Sequence, residues 1–297
     1  MKIIDPHIHL FDRQAGEYNW LKQENPPFWP DKKVIERDFS EQDLKVNSPL
    51  VLFGFVHIEA GFNNEKPWQE IEWLESTCTL PFRSIACTDL TADPTGFRKN
   101  IDQLLAYSSI AGVRHILDEE ALNVLNHPNT LMNLKYLEES ELIFELQMPF
   151  SDADATDCFV ETLHELSKLK VIINHSGFPP YTLSTASLDW RFWLDNLAKI
   201  SSYQNVALKC SGSEMIKRDY ELDWVNNTLK AVVELFGIER VMLASNFPLC
   251  LFSKSYHKLW WENFEISEIA ANNLLFNNAH RWYKFDEANS TDLYQSA

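Results

Sequence analysis

Short apolar runs rich in β-branched residues recur along the chain at 3–10, 50–59, 84–90, 112–117, 143–149, 171–177, 206–212 and 241–247. Each predicts a strand. Between them lie stretches in which apolar residues repeat with helical period, for example 68–77, 97–107, 156–169, 190–200 and 224–236. Strand and helix alternate throughout, which requires parallel strands joined by crossover helices. Eight such units in 297 residues predict a single (β/α)8 barrel over 1–297 rather than an open doubly wound sheet. The open sheet is the runner-up, and no Gly-rich phosphate loop follows the first run to support it.

Two segments fall outside the repeat. Residues 11–39 carry Tyr18, Trp20, Phe28, Trp29 and the pair Pro26-Pro27, a long and aromatic βα connection that either walls the pocket or covers the barrel mouth or a subunit contact. Residues 286–297 are polar and predict a peripheral tail.

Composition narrows the partners. A formal charge of -17 argues against nucleic acid, because binding phosphates needs clustered Lys and Arg. It leaves open a small-molecule substrate, even an anionic one held by a buried arginine, and a homo-oligomer is compatible with it. Cys78, Cys87, Cys158, Cys210 and Cys250 are scattered, with no paired zinc or redox spacing. No signal-peptide core and no membrane-spanning run is visible. A reduced, cytoplasmic protein is expected.

In a parallel barrel the chemistry gathers at the carboxyl ends of the strands. There the sequence places His7 and His9, two apart and so on one side of the first strand, and His57 with Glu59 in the same alternation on the second. Asp89 ends the third. Arg114 and His115 point to opposite sides of the fourth, and Glu145 and Gln147 share a face of the fifth. A carboxylate such as Glu145 among apolar strand residues is costly unless paired. It either serves the site or pairs with a neighbouring strand, for which Arg114 is the candidate. The sixth run passes into a Gly/Pro turn at His175-Ser176-Gly177-Phe178-Pro179, and the eighth ends Ser245-Asn246-Phe247-Pro248. His7, His9, His175 and Asn246 thus predict one pocket.

The segments Asp5-Pro6-His7-Ile8-His9, Gly112-Val113-Arg114, His175-Ser176-Gly177-Phe178-Pro179, Lys209-Cys210-Ser211-Gly212, Ala244-Ser245-Asn246-Phe247-Pro248 and Asn278-Ala279-His280-Arg281-Trp282 together resemble the amidohydrolase superfamily. The resemblance is to its fuconolactonase-like, rhamnonolactonase-like and pyrone-dicarboxylate lactonase branch, and it covers nearly the whole chain. It implies hydrolysis of a lactone or related cyclic ester, of a sugar acid or a dicarboxylate, by water. By resemblance His7, His9 and His175 face the substrate and hold one divalent metal, zinc foremost, as in some members, while other members work without one. His175 and Asn246 are the expected catalytic groups, and His57, Glu59, Arg114 and Gln147 the expected substrate contacts, although for Arg114 a buried structural guanidinium is the better reading. Asn246 stands where the family pattern has aspartate. A carboxylate would take a proton from the attacking water, whereas an amide only donates or accepts hydrogen bonds. Without a metal the base falls to His175, Glu59, Asp89 or Glu145. The alternative is a weakened or inactive barrel that still binds a small molecule.

Overall fold

In the computed structural model, which describes residues 1–267 and 270–285, eight parallel strands run in chain order around one sheet. They are β1 (Lys2–Ile8), β2 (Val51–Ile58), β3 (Phe82–Cys87), β4 (Ile110–Ile116), β5 (Ile143–Gln147), β6 (Val171–Ile173), β7 (Val206–Cys210) and β8 (Val241–Leu243). The sheet closes on itself: Ile8 bridges Phe247 in parallel, His9 N donates to Phe247 O at 2.6 Å, and Asn246 N donates to His7 O at 2.9 Å. Closure leaves no sheet edge and rules out the open sheet.

Strands buried on both faces read as continuous apolar runs, which is why the runs located them. Helices cover the outside, and local chemistry sets where they begin. Asp93 accepts from Thr95 N and Gly96 N with Pro94 opening the helix Pro94–Leu104. Asp152 caps Ala153–Glu165, and Ser187 caps Leu188–Ser201. Periodicity alone places the first two of these helices about three residues late, because their opening turns are capped by polar groups rather than marked by apolar ones.

β6 and β8 end at Ile173 and Leu243, well short of the apolar patterns that predicted strands to 177 and 247. The reason is backbone geometry. His175, Ser176, Gly177 and Phe178 all take positive φ, from +52° to +65°, as does Asn246 at +57°, and no strand accommodates left-handed residues. The backbone turns away at these points and lifts both side chains toward the barrel mouth.

Ile143 and Ala207, two residues below Glu145 and Lys209, belong with Ile4, Ile85, Ile172 and Met242 to an apolar cluster inside the barrel. Tyr283, just past the helix Asn278–Trp282, closes it from below. No helix among the described residues is long and apolar enough to cross a membrane. The tail expected at 286–297 lies outside the described residues.

Candidate active site

The histidines foreseen on the first and sixth strands meet. The ring centroids of His7 and His9 are 5.1 Å apart, and those of His7 and His175 are 4.7 Å apart. All three rings are buried. His9 Nδ1 lies 2.9 Å from Ile58 O and 3.2 Å from Glu59 O. Carbonyls only accept, so Nδ1 carries the proton and Nε2 keeps its lone pair. His175 Nδ1 is 2.9 Å from Ser211 Oγ. Among the described residues neither nitrogen of His7 has a hydrogen-bond partner.

Burial is the largest cause holding all three pKa values well below the ordinary imidazole range. Lys209 reinforces it most at His7, and Arg114 most at His9 and His175. The rings are therefore neutral at neutral pH, the form that accepts protons or binds cations.

The turn that presents His175 is held from two sides. Trp193 Nε1 donates to Ser176 O at 3.0 Å. At Gly212, with φ +71°, a Cβ would stand only 2.5 Å from His175 Nδ1, so the ring occupies the space a side chain would fill.

Beside His9, Arg114 Nη2 donates to the same Glu59 carbonyl at 3.1 Å, Arg114 Nε and Nη2 donate to Glu59 Oε1 at 2.9 and 2.6 Å, and Nη1 donates to Gln147 Oε1 at 2.9 Å. Burial pushes the Glu59 pKa up, with Arg114 opposing the shift. Gln147 Nε2 then donates to Asp118 Oδ1 at 3.2 Å. His9, Glu59, Arg114, Gln147, His175 and Asn246 all line one cavity of about 920 Å³. Its outer wall is built by Trp20, Pro26, Pro27 and Trp29 of the 11–39 connection. Phe11 and Phe39 close the neck of that connection with paired backbone bonds of 3.0 Å.

Other predicted residues stand elsewhere. His57 does not reach the cavity. Its Nδ1 accepts from Leu10 N at 3.2 Å, and its Nε2 lies 3.0 Å from Glu70 Oε1 on the helix Trp68–Thr77. β2 ends at Ile58, so the alternation that paired His57 with Glu59 breaks between them, leaving Glu59 facing in and His57 facing out. Asp89 bonds to Thr91 at 2.8 Å, away from the cavity. Glu145 pairs with Lys209 at 2.5 Å rather than with Arg114, and Tyr283 Oη donates to its other oxygen at 2.5 Å.

Lys209, which acts on His7, and Glu214, which bonds to Asn246, are residues the sequence pattern did not single out. Lys209, in an apolar strand, carried the same signal that marked Glu145. Glu214, in the four-residue turn Ser213–Ile216, carried none. Its Oε1 accepts from Asn246 Nδ2 at 2.6 Å, and burial pushes its pKa up to about 7.

The three imidazoles suit a borderline-soft divalent cation: they are neutral nitrogen donors, and one of them is without any protein partner. Among the described residues, no group of three or more His, Cys, Asp or Glu side chains is arranged to hold a metal ion.

Comparison with known proteins agrees with this geometry. Residues 4–285 match the family model described as amidohydrolase. An L-rhamnono-γ-lactonase of Scheffersomyces stipitis is 24% identical over 292 residues, covering 84% of this chain and 86% of that one. An amidohydrolase of Burkholderia multivorans, crystallised with bound zinc, superposes with a TM-score of 0.77 at 18% identity, over 96% of this chain and all of that one (100%). A Pseudomonas putida protein provisionally named 2-pyrone-4,6-dicarboxylic acid hydrolase gives a TM-score of 0.70 at 17% identity, over 96% and 98% of the two chains. The two structural likenesses speak for the fold.

Proposed function

Because the chain belongs to the amidohydrolase family, and is thus a hydrolase, we propose that it opens a lactone or related cyclic ester of a sugar acid by attack of water. The observation that carries this reading is the convergence of His9, His175 and Asn246, with neutral rings, on one cavity that Arg114, Glu59 and Gln147 also line. A relative named L-rhamnono-γ-lactonase supports the substrate class.

With Nδ1–H of His175 donated to Ser211 Oγ, Nε2 is free to accept the proton of the attacking water. Asn246 orients that water. Attack on the carbonyl carbon forms a tetrahedral oxyanion. The ring C–O bond then breaks, and the proton on His175 passes to the departing alkoxide oxygen. Lactone and water become one hydroxy acid, which balances the step. Arg114 and Gln147, fixed to Glu59 and Asp118, hold the substrate's oxygens from the wall next to His9. A divalent ion such as zinc, were one bound, would be held by the lone pairs of His7, His9 and His175 and would supply Lewis acidity to the site.

Charge narrows the substrate. Among the described residues lining the cavity, Arg114 is the one lysine or arginine, and Glu59 neutralises it at 2.6 Å. Asp118 and Glu119 line the same cavity. A dicarboxylate would enter a wall without a spare cation, so a neutral aldonolactone is the better fit. Trp20 and Trp29 offer apolar surface for its ring.

The rival reading, a barrel that binds without turnover because position 246 is an amide, draws no support from the site, since a carboxylate stands directly behind that amide. A cytoplasmic setting fits the five free cysteines.

Acid release from L-rhamnono-γ-lactone and related aldonolactones, followed in weak buffer with and without added zinc, tests the proposal. Turnover that falls sharply in His175→Ala is the expected result. Absence of turnover on every lactone, in protein shown to be folded and zinc-replete, would overturn it.

A further inference from the structure

A buried carboxylate without an ion pair, stabilised by Arg218 and Lys254 only through space, needs a reason to be kept. Glu214 is 1% exposed, and among the described residues no ion pair reaches it. Its side-chain bond goes to Asn246 Nδ2 at 2.6 Å. Asn246, itself buried, lines the cavity, whereas Glu214 stays behind it. With Nδ2 committed to Glu214, Oδ1 is the amide atom turned toward the His9 ring at the cavity wall.

We propose that Glu214 is a positioning residue that charges Asn246, so that the two side chains act together as one carboxylate displaced by the length of an amide. A carboxylate bonded to an amide N–H draws the amide toward its charge-separated form, and negative charge accumulates on Oδ1. The same bond fixes which amide atom faces the cavity. The attacking water therefore meets an oxygen that is both oriented and more negative than that of a free asparagine. Glu214 touches no substrate; it works through Asn246. The inference rests on the hydrolytic reading above, and it concerns which side chain holds the charge rather than which ester is cleaved.

The test exchanges the two groups. Glu214→Gln keeps the volume and removes the charge; it is expected to lower kcat about tenfold or more while KM moves by less than about threefold, the mark of a group that acts on the transition state. Asn246→Asp alone sets two carboxylates 2.6 Å apart, which forces one to hold a proton and moves the pH profile of kcat upward. The double variant Glu214→Gln/Asn246→Asp places the acid in front and the amide behind, and kcat is expected to recover to within about threefold of the native protein.

A second readout is independent of turnover. In protein labelled with 15N-asparagine, the Asn246 side-chain N–H resonance is expected downfield of its peers and displaced upfield by Glu214→Gln. Loss in both single variants without recovery in the folded double variant, or an unchanged kcat in Glu214→Gln, would overturn the proposal. Should no lactone be hydrolysed at all, the proposed reaction falls by itself, and an Asn246 resonance unmoved by Glu214→Gln then overturns the pairing independently.

Discussion

Gly212 and His175 compete for one volume: a Cβ on the glycine would lie 2.5 Å from the imidazole Nδ1, at a backbone φ of +71°. The glycine is thus part of how the ring is aimed. In Gly212→Ala the methyl group must push the ring off Ser211, or the left-handed backbone must relax, and each moves Nε2. We predict a loss of kcat of about a hundredfold, since a misplacement near 1 Å costs about that much. The strained backbone should cost a further ~1–3 kcal/mol of stability. Lactone turnover and urea unfolding of the variant check both; native kcat in the variant would contradict the packing account.

Beneath the histidines, Lys209 and Glu145 meet at 2.5 Å with neither side chain exposed. Burial lowers the lysine pKa to about 8, with Glu145 opposing the shift. Removing one partner leaves the other charge in an apolar barrel, so Lys209→Met should destabilise the protein by about 3–5 kcal/mol. The double variant Lys209→Met/Glu145→Gln should regain most of that loss, because it removes both charges. Denaturant unfolding of the three variants measures the coupling, and purely additive losses would show that the pair does not act as one.

The barrel was legible because parallel strands buried on both faces are written as apolar runs, and the three imidazoles because they sit where those runs stop. What misled was alternation carried past a strand's end. His57 and Glu59 share a parity in sequence, but β2 ends between them and only Glu59 turns to the cavity. Glu145 reads as a carboxylate that needs a partner, yet the partner is Lys209, two strands along the sheet, rather than Arg114 on the adjacent strand. Glu214 was invisible for a different reason. Its importance comes from a bond to a residue 32 positions away, which no local pattern encodes.

Neutralisation of Arg114 by Glu59 makes the cavity's charge adjustable by one substitution. In Glu59→Gln the guanidinium keeps its neighbour but loses its counter-charge, so the cavity gains one unit of positive charge. We predict that 2-pyrone-4,6-dicarboxylate then binds about tenfold tighter than to the native protein, while a neutral aldonolactone changes little. Titration calorimetry with both ligands checks this. Equal shifts for both would mean that Glu59 contributes packing rather than charge.

The pair His57 and Glu70, 3.0 Å apart and fully buried, sets a pH signature whose sign follows from two opposite shifts. Burial raises the Glu70 pKa from 4.5 to about 8, so between those values the folded protein binds more protons than the unfolded chain and stability falls as pH rises. Burial lowers the His57 pKa from 6.5 to about 3, so between those values the unfolded chain binds more protons and stability rises with pH. From about 4.5 to 6.5 the two slopes oppose each other; above that window only the falling slope of Glu70 remains. Asp5 and Glu214, raised to about 6 and about 7 by burial, also fall with rising pH, so the Glu70 contribution has to be read as a difference. Stability of the native protein minus that of Glu70→Gln, from urea unfolding at about pH 5 and about pH 8.5, should drop by a few kcal/mol across that interval. A difference that does not change with pH would mean that Glu70 is ionised throughout, and that the His57 contact is an ion pair rather than a neutral hydrogen bond.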